Sequence, residues 1–292
     1  MTIAPFTLTA AAGTPGPLLL DSPHSGRWLP AELPLAVPVA DLADAEDTFV
    51  DELWAGAPAL GAPLLAATFS RAYVDPNRHA ADIDPELLDR PWPHPIVPSG
   101  KARIGKAVVW RTLDDGRTIH ARQLTPDEVA HRIDTCLRPY QQALAALIDA
   151  THTRHGVSVH LNCHSMNPSA GAMGEGRAGV ERADVVLGDR DGTSCSPALT
   201  AQVGETFARL GYSVRINDPF KGVELVRAFS DPAAGRHSLQ IELNKRLYMN
   251  PATRARHAGF DTLRHHLGTV LAELARAVSG LANRHPTPRS NG

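Results

Sequence analysis

The chain is short of cysteine, of net charge and of unbroken apolar runs, and each shortage excludes something. Its 292 residues hold three cysteines, Cys136, Cys163 and Cys195, with no CxxC spacing. That argues against a disulfide framework and a thiolate zinc site, and fits a reducing compartment. Lys and Arg number 29 against 31 Asp and Glu, a formal net charge of -2. Such a balance offers no basic face for a nucleic acid. The longest apolar run, Ala55 to Phe69, is interrupted by Gly56, Pro58, Gly61 and Pro63 and is too broken to span a bilayer. No basic segment followed by an apolar core opens the chain, so no signal peptide is expected. Internal repeats, Gly-rich phosphate loops and low-complexity linkers are also missing. The expectation is a cytoplasmic protein with a small-molecule partner, and neither a nucleic acid nor a membrane. The oligomeric state is not legible.

What is present alternates between strand-like and helix-like patterns, which predicts an α/β fold: one mixed, mostly parallel sheet with helices on both faces. A single domain is expected across residues 1–292. Met1 to Pro17 reads as a loosely ordered lead-in or an edge strand, and 282–292 as a frayed tail. Strands are expected at Leu18–Leu20, Leu64–Phe69, Val157–Leu161, Ala183–Leu187, Ser213–Ile216 and His237–Asn244, from apolar runs or a period of two. Helices are expected at Asp41–Leu60, from Thr125 to about His152, at Pro197–Leu210 and from about Pro251 to Leu281. Thr125-Pro-Asp-Glu128 reads as a capping box with proline in the first turn. Residues 82–116, rich in Pro, Gly and mixed charge, read as a long excursion with a strand-like patch at Val108–Trp110. Such segments are often binding loops.

Chemistry concentrates at strand ends, where α/β proteins place their sites. Leu18–Leu20 runs into Asp21-Ser-Pro-His24-Ser-Gly26, with Gly26 permitting a turn. Val157–Leu161 runs into Asn162-Cys-His164-Ser-Met166. Each histidine could be a metal ligand or an ordinary hydrogen-bonded turn residue. His160 lies about 13 Å from His164 at strand rise, so the two cannot share one ion. The segment Asp41–Leu60 is crowded with Glu46, Asp47, Asp51 and Glu52. The helix dipole explains an acidic N-terminus without singling out one of them. Arg71, Asp75, Asn77 and Arg78 follow an apolar strand, and arginine there suits two-point binding of a carboxylate. His152 and His155 sit in the last turn of a helix, where positive charge is favoured. Glu242 interrupts an apolar strand, which is costly for a carboxylate that is neither paired nor used.

Ser22-Pro-His24-Ser-Gly26, Glu46-Asp47 before Val50-Asp51, Ser70-Arg71 through Asp75-Pro-Asn77-Arg78, Cys163-His164-Ser-Met166, Gly188-Asp-Arg and Gln240-Ile-Glu242 before Leu247-Tyr-Met249 occur in that order. Together they resemble the N-formylglutamate amidohydrolase (N-formylglutamate deformylase) family, which is related to zinc carboxypeptidases and to aspartoacylase. The resemblance covers about residues 18 to 250. It implies a phosphorylase/hydrolase-like fold and one zinc ion, or another divalent metal, held by His24, His164 and a carboxylate, with Asp47 fitting better than Glu46. It implies Glu242 as general base, Arg71 as oxyanion stabiliser, and Asn77 and Arg78 as holders of the substrate's α-carboxylate. The implied reaction releases formate and L-glutamate from N-formyl-L-glutamate, a step of histidine catabolism. A different N-acyl amino acid, or a non-catalytic metal- or ligand-binding role on the same fold, are the alternatives. Two departures stand out. Asn162 occupies the place of a family aspartate, and Gly222-Val-Glu224 stands where paired glycines are usual.

Overall fold

A computed structural model describes residues 3–170 and 179–282. In chain order it contains β1 (Phe6–Thr9), β2 (Leu18–Ser22), α1 (Val50–Leu53), β3 (Leu64–Ala67), α2 (Pro126–Arg132), α3 (Arg138–His155), β4 (Ser158–Met166), β5 (Val185–Gly188), α4 (Pro197–Arg209), β6 (Val214–Ile216), α5 (Glu224–Ala228), β7 (Arg236–Asn244) and α6 (Gly259–Ala282). Seven strands form one sheet in the order β1-β3-β2-β4-β7-β5-β6. β3, β2, β4 and β7 run parallel; β1 pairs antiparallel with β3, and β5 antiparallel with β7. The sheet is mixed and mostly parallel, as expected. Of the two readings for the N-terminal segment, the edge strand is the one found.

Strand parity sorts the residues into two faces. Leu18, Leu20, Val159, Leu161, Cys163, Leu239, Ile241 and Leu243 face a core closed by α1, α4 and α6. On the other face Leu19, Leu65 and Ala67 meet the stripe Val129, Ile133, Leu137, Tyr140 and Leu144 of α2, the π-helical turn Ile133–Leu137 and α3. Between them the centre of that second face is polar: Asp21, His160, Asn162, His164, Gln240 and Glu242. All six are buried. A period of two usually signals a strand wet on one side. Here α3 and the excursion cover the polar side as well. Most of its groups therefore satisfy one another, as buried polar groups usually do, with Gln240 Oε1 left without a partner. Asp21 accepts from His160 Nε2 at 2.8 Å, Asn162 Nδ2 at 2.7 Å and Tyr140 Oη at 2.8 Å. Burial opposes the charge on Asp21, but these partners hold its pKa below the usual value.

The capping box forms as read: Thr125 Oγ1 accepts from the Glu128 N–H, and the Glu128 carboxylate accepts from the Thr125 N–H. The continuous helix expected over Asp41–Leu60 does not form. A 3-10 segment, Val39–Ala45, is followed by an extended Glu46 and a left-handed Phe49 (φ 66°), then by α1 and a second 3-10 turn at Ala57–Leu60. Val50, Leu53 and Trp54 still bury inward. The break swings Asp47 towards the sheet, where its N–H donates to the His24 carbonyl at 3.0 Å. The last helix begins at Gly259 rather than near Pro251, because Asn250 Oδ1 accepts from the Ala252 and Thr253 N–H groups and closes a turn first. The Val108–Trp110 patch makes only an isolated bridge between Lys106 and Trp110, and Val108 and Val109 pack into the second core. The loop between Asn167 and Gly179 lies largely outside the described residues, as does the tail beyond 282. Among the described residues no helix is long and apolar enough to cross a membrane.

Candidate active site

Three of the segments picked out by sequence meet at the carboxyl ends of β2 and β4. β2 ends in the turn carrying His24, β4 carries His164, and the broken segment before α1 supplies Asp47. One ligand atom from each of His24, Asp47 and His164 lies within 4.8 Å of the other two, and all three residues are buried. Gly26 matters here for space rather than for a turn. A Cβ at that position would lie 2.4 Å from the Thr68 backbone carbon just past β3, so no larger residue lets the His24 turn sit down on the sheet.

The hydrogen bonds around the cluster set the ring tautomers. His24 Nε2 lies 2.8 Å from Asp75 Oδ1. An ionised carboxylate only accepts, so Nε2 carries the hydrogen and Nδ1 a lone pair. His164 Nε2 lies 2.7 Å from Asn162 Oδ1, while the same amide's Nδ2 donates to Asp21. His164 therefore also carries its hydrogen on Nε2. Asn77 Nδ2, 3.2 Å from that nitrogen, is then a neighbour rather than a hydrogen-bond donor to it. Both Nδ1 lone pairs turn to Asp47 Oδ2, at 3.3 Å from His24 and 2.9 Å from His164. Acceptors facing one another repel unless a cation lies among them, and two imidazoles with a carboxylate suit a divalent metal such as zinc. The outer partners Asp75 and Asn162 are of the kind that orient metal-binding histidines. Glu46, the competing carboxylate, turns away to pair with Arg27 at 3.4 Å.

The cluster forms the floor of a cavity of about 440 Å³ that is also lined by Arg71, Asn77, Arg78, Trp110, Glu242 and Lys245. Glu242 reaches it because β4 and β7 pair in parallel with His164 opposite Glu242, so the two side chains leave the sheet side by side. Gln240 Nε2 donates to Glu242 Oε1 at 3.0 Å. Arg71 gives Nε and Nη2 to Asp75 Oδ2 at 3.2 and 2.8 Å, and its guanidinium stacks 4.7 Å over Trp110. Asn77 Oδ1 accepts from the Leu225 N–H at 2.9 Å, which fixes the amide orientation. Arg78 gives Nε to the Lys106 carbonyl and Nη1 to the Asn77 carbonyl. Gly222 and Val223 line the same cavity. His152 and His155 lie elsewhere, bonded to the Ala234 and Pro15 carbonyls. Two groups went unassigned by sequence reasoning. Asp75 stood inside a recognised polar segment, but nothing in that segment marks it as the partner of His24. Lys245 follows Glu242 at the wrong strand parity to share its face. The 3-10 turn Lys245–Leu247 that begins there brings it back to the cavity.

Comparison with known proteins agrees along most of the chain. A family model described as N-formylglutamate amidohydrolase matches residues 16–249. The N-formylglutamate deformylase of Pseudomonas aeruginosa is 29% identical over 238 residues, 80% of this chain and 82% of that protein. The deformylase of Pseudomonas putida is 28% identical over 238 residues, again 80% and 82%. The crystal structure of an N-formylglutamate amidohydrolase from Ralstonia eutropha superposes with a TM-score of 0.89 at 43% identity, covering 97% of this chain and 99% of that one. By its ordered motifs, its sheet and its match to the family model, this chain belongs to the N-formylglutamate amidohydrolase family.

Proposed function

We propose that the protein is a metal-dependent amidohydrolase that cleaves N-formyl-L-glutamate to formate and L-glutamate. The observation that carries this reading is the convergence of His24, Asp47 and His164 beside Glu242 on the floor of one cavity. Zinc, held by those three residues, would supply Lewis acidity, acidifying a water and polarising the formyl carbonyl. Glu242 takes the proton of the attacking water and returns it to the departing amine nitrogen. Gln240 Nε2 donates to its Oε1 and helps to orient the carboxylate beside His164. Arg71 is braced through Nε and Nη2 on Asp75 and directs its remaining guanidinium hydrogens at the oxygen where negative charge develops. Asn77 Nδ2 and Arg78 receive the α-carboxylate and fix the amide over the floor. A cavity with this many cationic walls favours an anionic substrate.

The test is formate release from N-formyl-L-glutamate by the zinc-loaded protein, before and after exhaustive chelation. Turnover that disappears with chelation and returns with zinc supports the reading. A protein that binds stoichiometric zinc at this cluster yet releases formate from no N-formyl amino acid would overturn it.

A further inference from the structure

N-formyl-L-glutamate carries two carboxylates, and the reading above places only one of them. The cavity's cations differ in how far their charge is already spent. Arg71 and Arg78 face Asp75 at 2.8 and 3.6 Å. Lys106 pairs with Asp114, and Lys221 lies 2.8 Å from Asp191. Lys245 is different. It is 6% exposed and lines the cavity, and its ammonium makes no hydrogen bond or ion pair with any described residue. The carboxylates that act on it most are Asp47 and Asp44, at longer range. Asp47 is already committed to the two histidines. An ammonium on a largely buried side chain without a close partner is costly, and this one lines a cavity from which an anion could reach it.

We propose that Lys245 is the residue that binds the side-chain carboxylate of the substrate and makes the enzyme selective for acidic N-formyl amino acids. This rests on the amidohydrolase reading of the same site. Asn77 and Arg78 are tied to Leu225 and Asp75, whereas Lys245 comes from the turn after β7 and lines the same cavity with Asp44 and Asp47. A dicarboxylate held at its α-carboxylate by Asn77 and Arg78 would find in Lys245 a second cation of the same cavity. Lysine suits the second end because its flexible stem delivers a compact charge.

The experiment compares N-formyl-L-glutamate with N-formyl-L-glutamine, the isostere whose side chain is neutral, on wild type and Lys245→Met. The wild type should favour the glutamate substrate by about 100-fold or more in kcat/KM, the loss expected when one partner of a buried charge pair is removed. Lys245→Met should lose that preference through the glutamate substrate alone, leaving the glutamine substrate near its wild-type rate. A wild type that treats the two alike would sink the proposal while leaving the amidohydrolase reading intact. So would a variant that slows both substrates equally, because Lys245 would then be supporting Asp47. Product binding supplies a readout that needs no turnover. L-glutamate should bind the zinc-loaded wild type more tightly than L-glutamine does, and Lys245→Met should erase the difference. Equal binding by wild type would overturn the proposal even if no substrate were cleaved.

Discussion

Asp75→Asn is the substitution that most directly tests how the site is held. Asp75 is fully buried and surrounded by donors: His24 Nε2 and the Asn77 N–H on Oδ1, and Arg71 Nε, Arg71 Nη2 and Trp110 Nε1 on Oδ2. Burial opposes its charge, but Arg71, Arg78 and His24 hold its pKa well below the usual carboxylate value. Asparagine keeps the shape and removes the charge. It also turns one of the two oxygens into a donor that faces donors. A unit pair about 4 Å apart at an effective dielectric near 20 is worth about 4 kcal/mol before desolvation. Breaking a buried pair from one side costs about 3–5 kcal/mol net. Arg71, at 16% side-chain exposure, recovers some hydration, which favours the lower end. We therefore expect urea unfolding of the metal-free protein to report a loss of about 3 kcal/mol. We also expect zinc affinity to fall about 10- to 100-fold, because His24 loses the charged carboxylate that orients its ring and raises its basicity. A competitive chelator titration reads the second number. An Asp75→Asn protein within about 1 kcal/mol of wild type, with unchanged zinc affinity, would refute this account of the site.

Two further outcomes are expected. Glu242→Gln should keep its zinc and its fold while turnover drops by about 10²- to 10⁴-fold, the usual contribution of a general base; near-normal turnover would remove Glu242 from the mechanism. His120 is buried against the Trp110 carbonyl, and burial together with the charge of Arg132 pushes its pKa down to about 4. The unfolded chain binds this proton near pH 6.5 and the folded chain resists it until about pH 4, so stability falls as pH drops through that window, by on the order of 3 kcal/mol in full. His120→Asn should flatten that slope in pH-dependent urea titrations, and an unchanged slope would assign the acid sensitivity elsewhere.

Much of the architecture is legible without coordinates because it is local. The capping box at Thr125 and the alternation through Ser158–Met166 and Arg236–Asn244 depend on residues a few positions apart. The ordered motifs likewise carry the family resemblance in one dimension. Helical spacing in Asp41–Leu60 identified which side chains bury, but not that the backbone breaks at Glu46 and Phe49, since tertiary contacts outweigh propensity there. Alternation shows that two faces differ and says nothing of what covers each. Only the packing of α3 and the excursion turned the polar face of β4 and β7 into a buried network. The choice of Asp47 over Glu46, the bracing of His24 and Arg71 by Asp75, and the return of Lys245 to the cavity depend on strand register and on turns that join distant positions. Those contacts bring together residues from 24 to 245, a separation at which pattern in the chain carries no distance. Asn162 shows both limits at once. Its departure from the family aspartate is visible in sequence, but its position between His164 and the Asp21 carboxylate follows from the pairing of β2 with β4.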